Sequence, residues 1–100
     1  MYGSVFSFNI LPGKEAEALG LLNEDRVNEQ RRLSNAGWQE TLLFKLDNGG
    51  YMGVAVFESK EKYHANANDP AQGEWYQTFR SFLTSDPEWH DGEVIATEHA

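Results

Sequence analysis

Residues 51 to 57, YMGVAVF, are apolar at nearly every position and directly follow the tetrad DNGG. Seven residues bounded by a turn are too few for an ordinary helix, and a strand covered on one face would alternate. The run therefore reads as a strand buried on both faces, in the middle of a sheet. Asn and Gly tolerate the positive φ of a tight hairpin, so DNGG joins this strand to the one before it. That partner is WQETLLFKL, whose alternation sets Trp38, Leu42, Phe44 and Leu46 against Gln39, Thr41 and Lys45. A two-sided strand needs cover above and below, and this requirement constrains the fold more than any other feature.

The remaining elements follow from periodicity and punctuation. In residues 2 to 10, Phe6, Phe8 and Ile10 share one face of a strand, and Val5, Ser7 and Asn9 the other. Pro12-Gly13 ends it, and a helix is expected from Lys14 to about Leu33. Ala16, Leu19 and Leu22 form its apolar stripe, which only Val27 and Leu33 continue. Asn35-Ala36-Gly37 reads as a helix stop, with Gly37 free to turn left-handed. Ser59 can cap a short helix through KEKYHANA. Asp69, Pro70 and Gln72 then hold the N-cap, first-turn and capping-box positions of a longer helix. Its stripe of Trp75, Tyr76, Phe79, Phe82 and Leu83 is the clearest helical pattern in the chain. Ser85-Asp86-Pro87 closes it, and GEVIATE predicts a last short strand.

The order strand, helix, strand, strand, short and long helix, strand is the split βαβ arrangement. It predicts one α+β, ferredoxin-like domain over residues 1–100, a four-stranded antiparallel sheet with its helices on one face. Val54 and Val56 then point away from Tyr51 and Phe57, and one chain cannot cover both sets. With Leu43 on the neighbouring strand, the uncovered face predicts a homodimer.

Charge and composition exclude several classes of partner. Sixteen acidic against eight basic residues give a formal net charge of −8, which repels nucleic acid and anionic membranes. The chain has no cysteine, hence no disulfide, thiolate metal site or cysteine nucleophile. Its first residues lack the basic start and long apolar run of a secretion signal, and no stretch approaches a membrane span. A cytoplasmic protein is the expectation.

Thirteen aromatic residues point to a filled core or a pocket with flat walls. Tyr63 shares a helix face with Asn66 and Ala67, small neighbours that leave room around its ring. His64 lies about 100° away on the helix, on the side of Lys60 and Glu61, and is expected in solvent. Asp86, Glu88, His90, Asp91 and Glu93 read as a solvated acidic loop, because one histidine without helical spacing makes a poor metal site. No Ser-His-Asp pattern or phosphate-binding glycine loop stands out.

The segment VFESKEKYHANANDPAQGEWYQTFR, with Phe57, Glu58-Ser59 and Tyr63 ahead of a helix opening at Asp69-Pro70, resembles the antibiotic biosynthesis monooxygenase family. DPEWHDGEVI, residues 86 to 95, resembles that family's entry into its last strand. The resemblance implies the dimeric α+β barrel and a cofactor-independent oxygenase acting on a small aromatic, phenolic or polyketide-like molecule. A non-catalytic small-molecule-binding or stress-associated homodimer is the alternative. Of the heme-degrading branch's Asn, Trp and His, the corresponding positions hold Phe6, Asn66 and Tyr76. Of the quinone-forming branch's Asn, Trp, Tyr and Arg, they hold Gly53, Phe57, Tyr63 and Tyr76, so only the tyrosine is kept. The expectation is accordingly no heme, flavin or tightly bound metal. The expected site has walls of Phe6, Phe8, Phe44, Phe57, Trp75 and Phe79 with Asn66 beside them, and Tyr63 and Tyr76 as its catalytic polar groups.

Overall fold

The computed structural model describes residues 1–23 and 27–100, and side chains outside 22–28. The elements are β1 (Tyr2–Phe8), α1 (Glu15–Asn23), α2 (Val27–Asn35), β2 (Trp38–Lys45), β3 (Tyr51–Phe57), α3 (Lys60–Ala67), α4 (Pro70–Arg80) and β4 (Glu88–Glu93). The sheet runs β2-β3-β1-β4, and every neighbouring pair is antiparallel. Four antiparallel strands with helices against one face are the split βαβ arrangement expected from the element order. β3 is a central strand, as its apolar run requires.

Local chemistry places the element ends. The Ser59 hydroxyl accepts from the Lys62 amide at 3.2 Å, and the Asp69 carboxylate from the Ala71 amide at 2.8 Å, so α3 and α4 start at their expected caps. Gly37 takes φ +90° between α2 and β2, where a side chain would be strained. Gln72 departs from its capping-box role: its side-chain oxygen instead accepts from Arg32 at 2.9 Å.

Strand parity divides the sheet into two unlike faces. Phe6 and Phe8 of β1 and Tyr51 and Phe57 of β3 are buried toward the helices, where Phe79 of α4 and Leu83 complete the core. Phe79 meets the edge of Phe8 at a centroid distance of 5.3 Å and stacks on Trp75 at 5.4 Å. Gly53 of β3 makes room within this layer, since a Cβ there would lie 2.4 Å from the Phe6 ring and 2.8 Å from Leu43.

Three expectations are corrected. In α1, Ala18 is buried and Leu21 packs against the core; of the expected stripe Leu19 is half-buried but Ala16 is exposed, and Leu22 and Val27 lie outside the described side chains. The register of β2 shifts between Trp38 and Glu40, an irregularity that adds a residue. Trp38 therefore faces the helices together with Thr41, Leu43 and Lys45, while Leu42 and Phe44 turn to the other face and are 49% and 51% exposed. Leu43 is thus on the covered face, not the uncovered one. Finally, the last strand is EWHDGE, four residues earlier than GEVIATE, and Ile95 beyond it is 95% exposed.

Val5, Leu42, Phe44, Met52, Val54 and Val56 share the sheet face opposite the helices by register. Among the described residues no helix is long and apolar enough to cross a membrane.

Candidate functional site

Between the sheet and the helices lies a partly open cavity of about 920 Å³. That volume is within the range of small-molecule sites. Its floor is the aromatic face of β1 and β3, with Phe6, Phe8, Tyr51 and Phe57. Trp75, Tyr76 and Phe79 enter from α4, and Tyr63, Asn66 and Ala67 from α3. Three parities set by sequence periodicity converge on one space: the inward face of β1, one side of α3 and the stripe of α4.

Tyr63 is the best-held polar group. Its ring packs edge-on against Phe57 at 5.5 Å and Tyr2 at 5.4 Å, and its hydroxyl donates to Asp91 Oδ1 at 2.9 Å. Burial pushes the phenol up to about 12; the nearby Ser4 hydroxyl partly offsets this, and the hydrogen bond to Asp91 and its negative charge add to it. Tyr63 consequently stays protonated at neutral pH and serves as a hydrogen-bond donor, not as a base.

Tyr76 sits apart from that pair. Its ring faces Trp89 of β4 at 6.3 Å. Trp89 and Asp91 are two residues apart on one strand and face inward opposite Phe6 and Ser4. β4 therefore reaches both tyrosines, Tyr76 through Trp89 and Tyr63 through Asp91.

Asn66 is 7% exposed, and its side-chain oxygen accepts from Arg32 Nη1 at 2.9 Å. Arg32 also pairs with Glu29 at 2.7 Å and reaches Asp69 and Gln72, tying α2 to α3 and α4. The Glu29 carboxylate, beside the partly buried guanidinium, raises the Arg32 pKa further and fixes its charge. On the opposite side Lys45 pairs with Glu15 at 2.9 Å, which raises the Lys45 pKa and lowers that of Glu15. Among the described residues, the two cations that approach the cavity are thus committed to carboxylates.

The structure brings Phe6, Phe8, Phe57, Tyr63, Asn66, Trp75, Tyr76 and Phe79 around this one space. Phe44 touches it while lying mostly on the outer face, for the reason given by the β2 register. His64 is exposed, yet its ring rests on Tyr63 at 5.4 Å and reaches the cavity's edge, closer to the site than helix geometry alone implied. The acidic loop expectation fails at its centre: Glu88 to Glu93 is a strand, and Asp91 and Trp89 line the cavity. Among the described residues no three His, Asp or Glu side chains are grouped to hold a metal ion.

The positions that the resemblance assigns to a heme's partners hold other side chains. Phe6 is packed at 4.7 Å against Trp89, the Asn66 oxygen is held by Arg32, and Tyr76 supplies no imidazole for an iron.

No family model matches the sequence, and no curated protein is significantly similar to it. Solved structures are similar in fold. An antibiotic biosynthesis monooxygenase structure aligns with TM-score 0.74 at 12% identity, over 96% of this chain and 100% of that one. SnoaB, a cofactor-independent oxygenase from Streptomyces nogalater, aligns with TM-score 0.72 at 15% identity, over 96% and 94%. A protein from Arabidopsis thaliana gives 0.75 at 17% identity, over 99% and 100%. The chain has the fold of the antibiotic biosynthesis monooxygenase structures, the α+β ferredoxin-like fold that its sequence pattern implied. At these identities the likeness concerns the fold, and function has to be argued from the site.

Proposed function

We propose that this chain is a cofactor-independent monooxygenase for a small phenolic or polyketide-like aromatic, working as a homodimer. The observation that carries the reading is the aromatic cavity with the Tyr63 hydroxyl held on its wall by Asp91. Triplet dioxygen reacts with a closed-shell organic molecule only when that molecule supplies an electron, as a phenolate or enolate does. Transfer of one electron gives superoxide and a substrate radical, and their combination forms a carbon–oxygen bond. Loss of water from the resulting hydroperoxide leaves a carbonyl, so a CH₂ group and O₂ become C=O and H₂O. The protein's part is a dry slot that orients the ring and a donor for its oxyanion. Tyr63 fills that role by turning its hydroxyl hydrogen from Asp91 to the substrate, whose own hydroxyl proton Asp91 then accepts.

A second reading, a non-catalytic binding homodimer, rests on the same cavity. An oxygen electrode with a panel of anthrone-type and quinol substrates separates the two. Substrate-dependent uptake supports the oxygenase, whereas saturable ligand binding without uptake supports the binding protein.

The homodimer is supported by the uncovered apolar sheet face, where Val5, Leu42 and Phe44 are 42%, 49% and 51% exposed. Light scattering after size exclusion at micromolar concentration is expected to give about twice the 11.3 kDa chain mass. A clean monomer would remove this part of the proposal. Hemin titration is expected to give no saturable Soret band, given the residues at the heme-branch positions. One-to-one saturation at submicromolar affinity would overturn that expectation.

A further inference from the structure

We infer that Asp91 is the recognition point for a hydrogen-bond donor on the ligand, so that the cavity selects aromatic molecules carrying a hydroxyl or N–H group and rejects carboxylates. The inference rests on the cavity being a ligand site, but not on its being catalytic.

In this structure Tyr63 donates its hydroxyl hydrogen to Asp91 Oδ1 at 2.9 Å. That hydrogen stays in place well above neutral pH, because the phenol is pushed up to about 12. Ser4 lies opposite Asp91 in the β1–β4 register, on the same inward face, and is 3% exposed. Its Oγ closes no regular hydrogen bond, although the hydroxyl is near enough to Tyr63 to favour the phenolate. The Tyr63 hydroxyl thus ends on an acceptor at Asp91.

An ionised carboxylate can accept about four hydrogen bonds, and Tyr63 supplies one. Among the described residues no Lys, Arg or His lies within 4.0 Å of Asp91. The other charges at the cavity are paired, Glu29 with Arg32 and Lys45 with Glu15. What remains for a ligand is a negative end with open acceptor sites, next to the apolar ring of Trp89 on the same strand. A planar aromatic with a hydroxyl or amine meets both demands. A carboxylate would face Asp91 with like charge and no cation between them.

Isothermal titration calorimetry with three naphthalene probes of one shape tests this directly on the full chain. The probes are 2-naphthol, 2-methoxynaphthalene, which lacks the donor, and 2-naphthoate, which is anionic. The expected order is naphthol tightest, the methyl ether weaker by about tenfold, as for a hydrogen bond to a charged group, and naphthoate weakest. In Asp91→Asn, the near-isosteric change on an edge strand, the preference for naphthol over naphthoate is expected to shrink to within about threefold. The wild-type order needs no variant, so misfolding of Asp91→Asn would leave the test intact. Equal affinity for naphthol and its methyl ether, or naphthoate binding as tightly as naphthol, overturns the inference while leaving the cavity a binding site. No binding of any probe at millimolar concentration overturns both.

Discussion

Tyr63→Phe is expected to slow oxygen consumption with a hydroxylated aromatic by about a hundredfold or more, with little change in stability. Removing one donor from a developing oxyanion typically costs on the order of 2 to 4 kcal/mol in the transition state. The ring is held independently of its hydroxyl, by edge contacts to Phe57 and Tyr2 at 5.5 and 5.4 Å. The lost bond to Asp91 is a net contribution of about 1 kcal/mol to folding. Steady-state kinetics beside a urea melt separates these effects. Unchanged turnover in a folded variant removes Tyr63 from the mechanism.

Phe79→Ala carries the largest expected effect on stability, about 3 to 5 kcal/mol. Phe79 is 3% exposed and joins the sheet to α4, with Phe8 against one part of its ring and Trp75 stacked on the other. Truncation removes its transfer free energy and leaves a void, because Trp75 and Phe8 are anchored on different elements and cannot both close in. For a domain of this size the loss lowers Tm by more than about 10 °C. Thr78→Ala, one residue earlier and exposed, is expected to stay within about 0.5 kcal/mol of the parent protein. A loss below about 1 kcal/mol for Phe79→Ala would show that the cavity wall is not part of the core.

The parts of this fold legible in the sequence are those with one dry face. β1 and α4 alternate or repeat because Phe6, Phe8, Trp75 and Phe79 must point into the same layer, and the caps at Ser59 and Asp69 satisfy amides that a helix start leaves open. β3 was readable from the absence of alternation. β2 was only half readable, since the irregularity between Trp38 and Glu40 reverses the inward parity after Trp38 and sends Leu42 and Phe44 outward. Nothing in the residue types announces that extra residue.

β4 was misplaced because it is an edge strand with only β1 beside it. All six of its residues are exposed, and the inward ones include a carboxylate, so the segment has the composition of a loop. The one available signal was Trp89 in an otherwise polar run, with Asp91 two positions on and therefore on the same face of any strand. That parity would have paired Asp91 with the cavity. It is also why the partner of Tyr63 escaped a reading based on helices alone.

The central claim is oxygenation inside this cavity by the protein's own groups, and isotope labelling tests it most directly. Protein stripped of metal ions by a chelating resin is incubated with an anthrone under ¹⁸O₂, and the product is analysed by mass spectrometry. One labelled oxygen per quinone is expected, at an initial rate roughly a hundredfold above that of Tyr63→Phe. Unlabelled product, or labelled product formed at the same rate by both proteins, would contradict it.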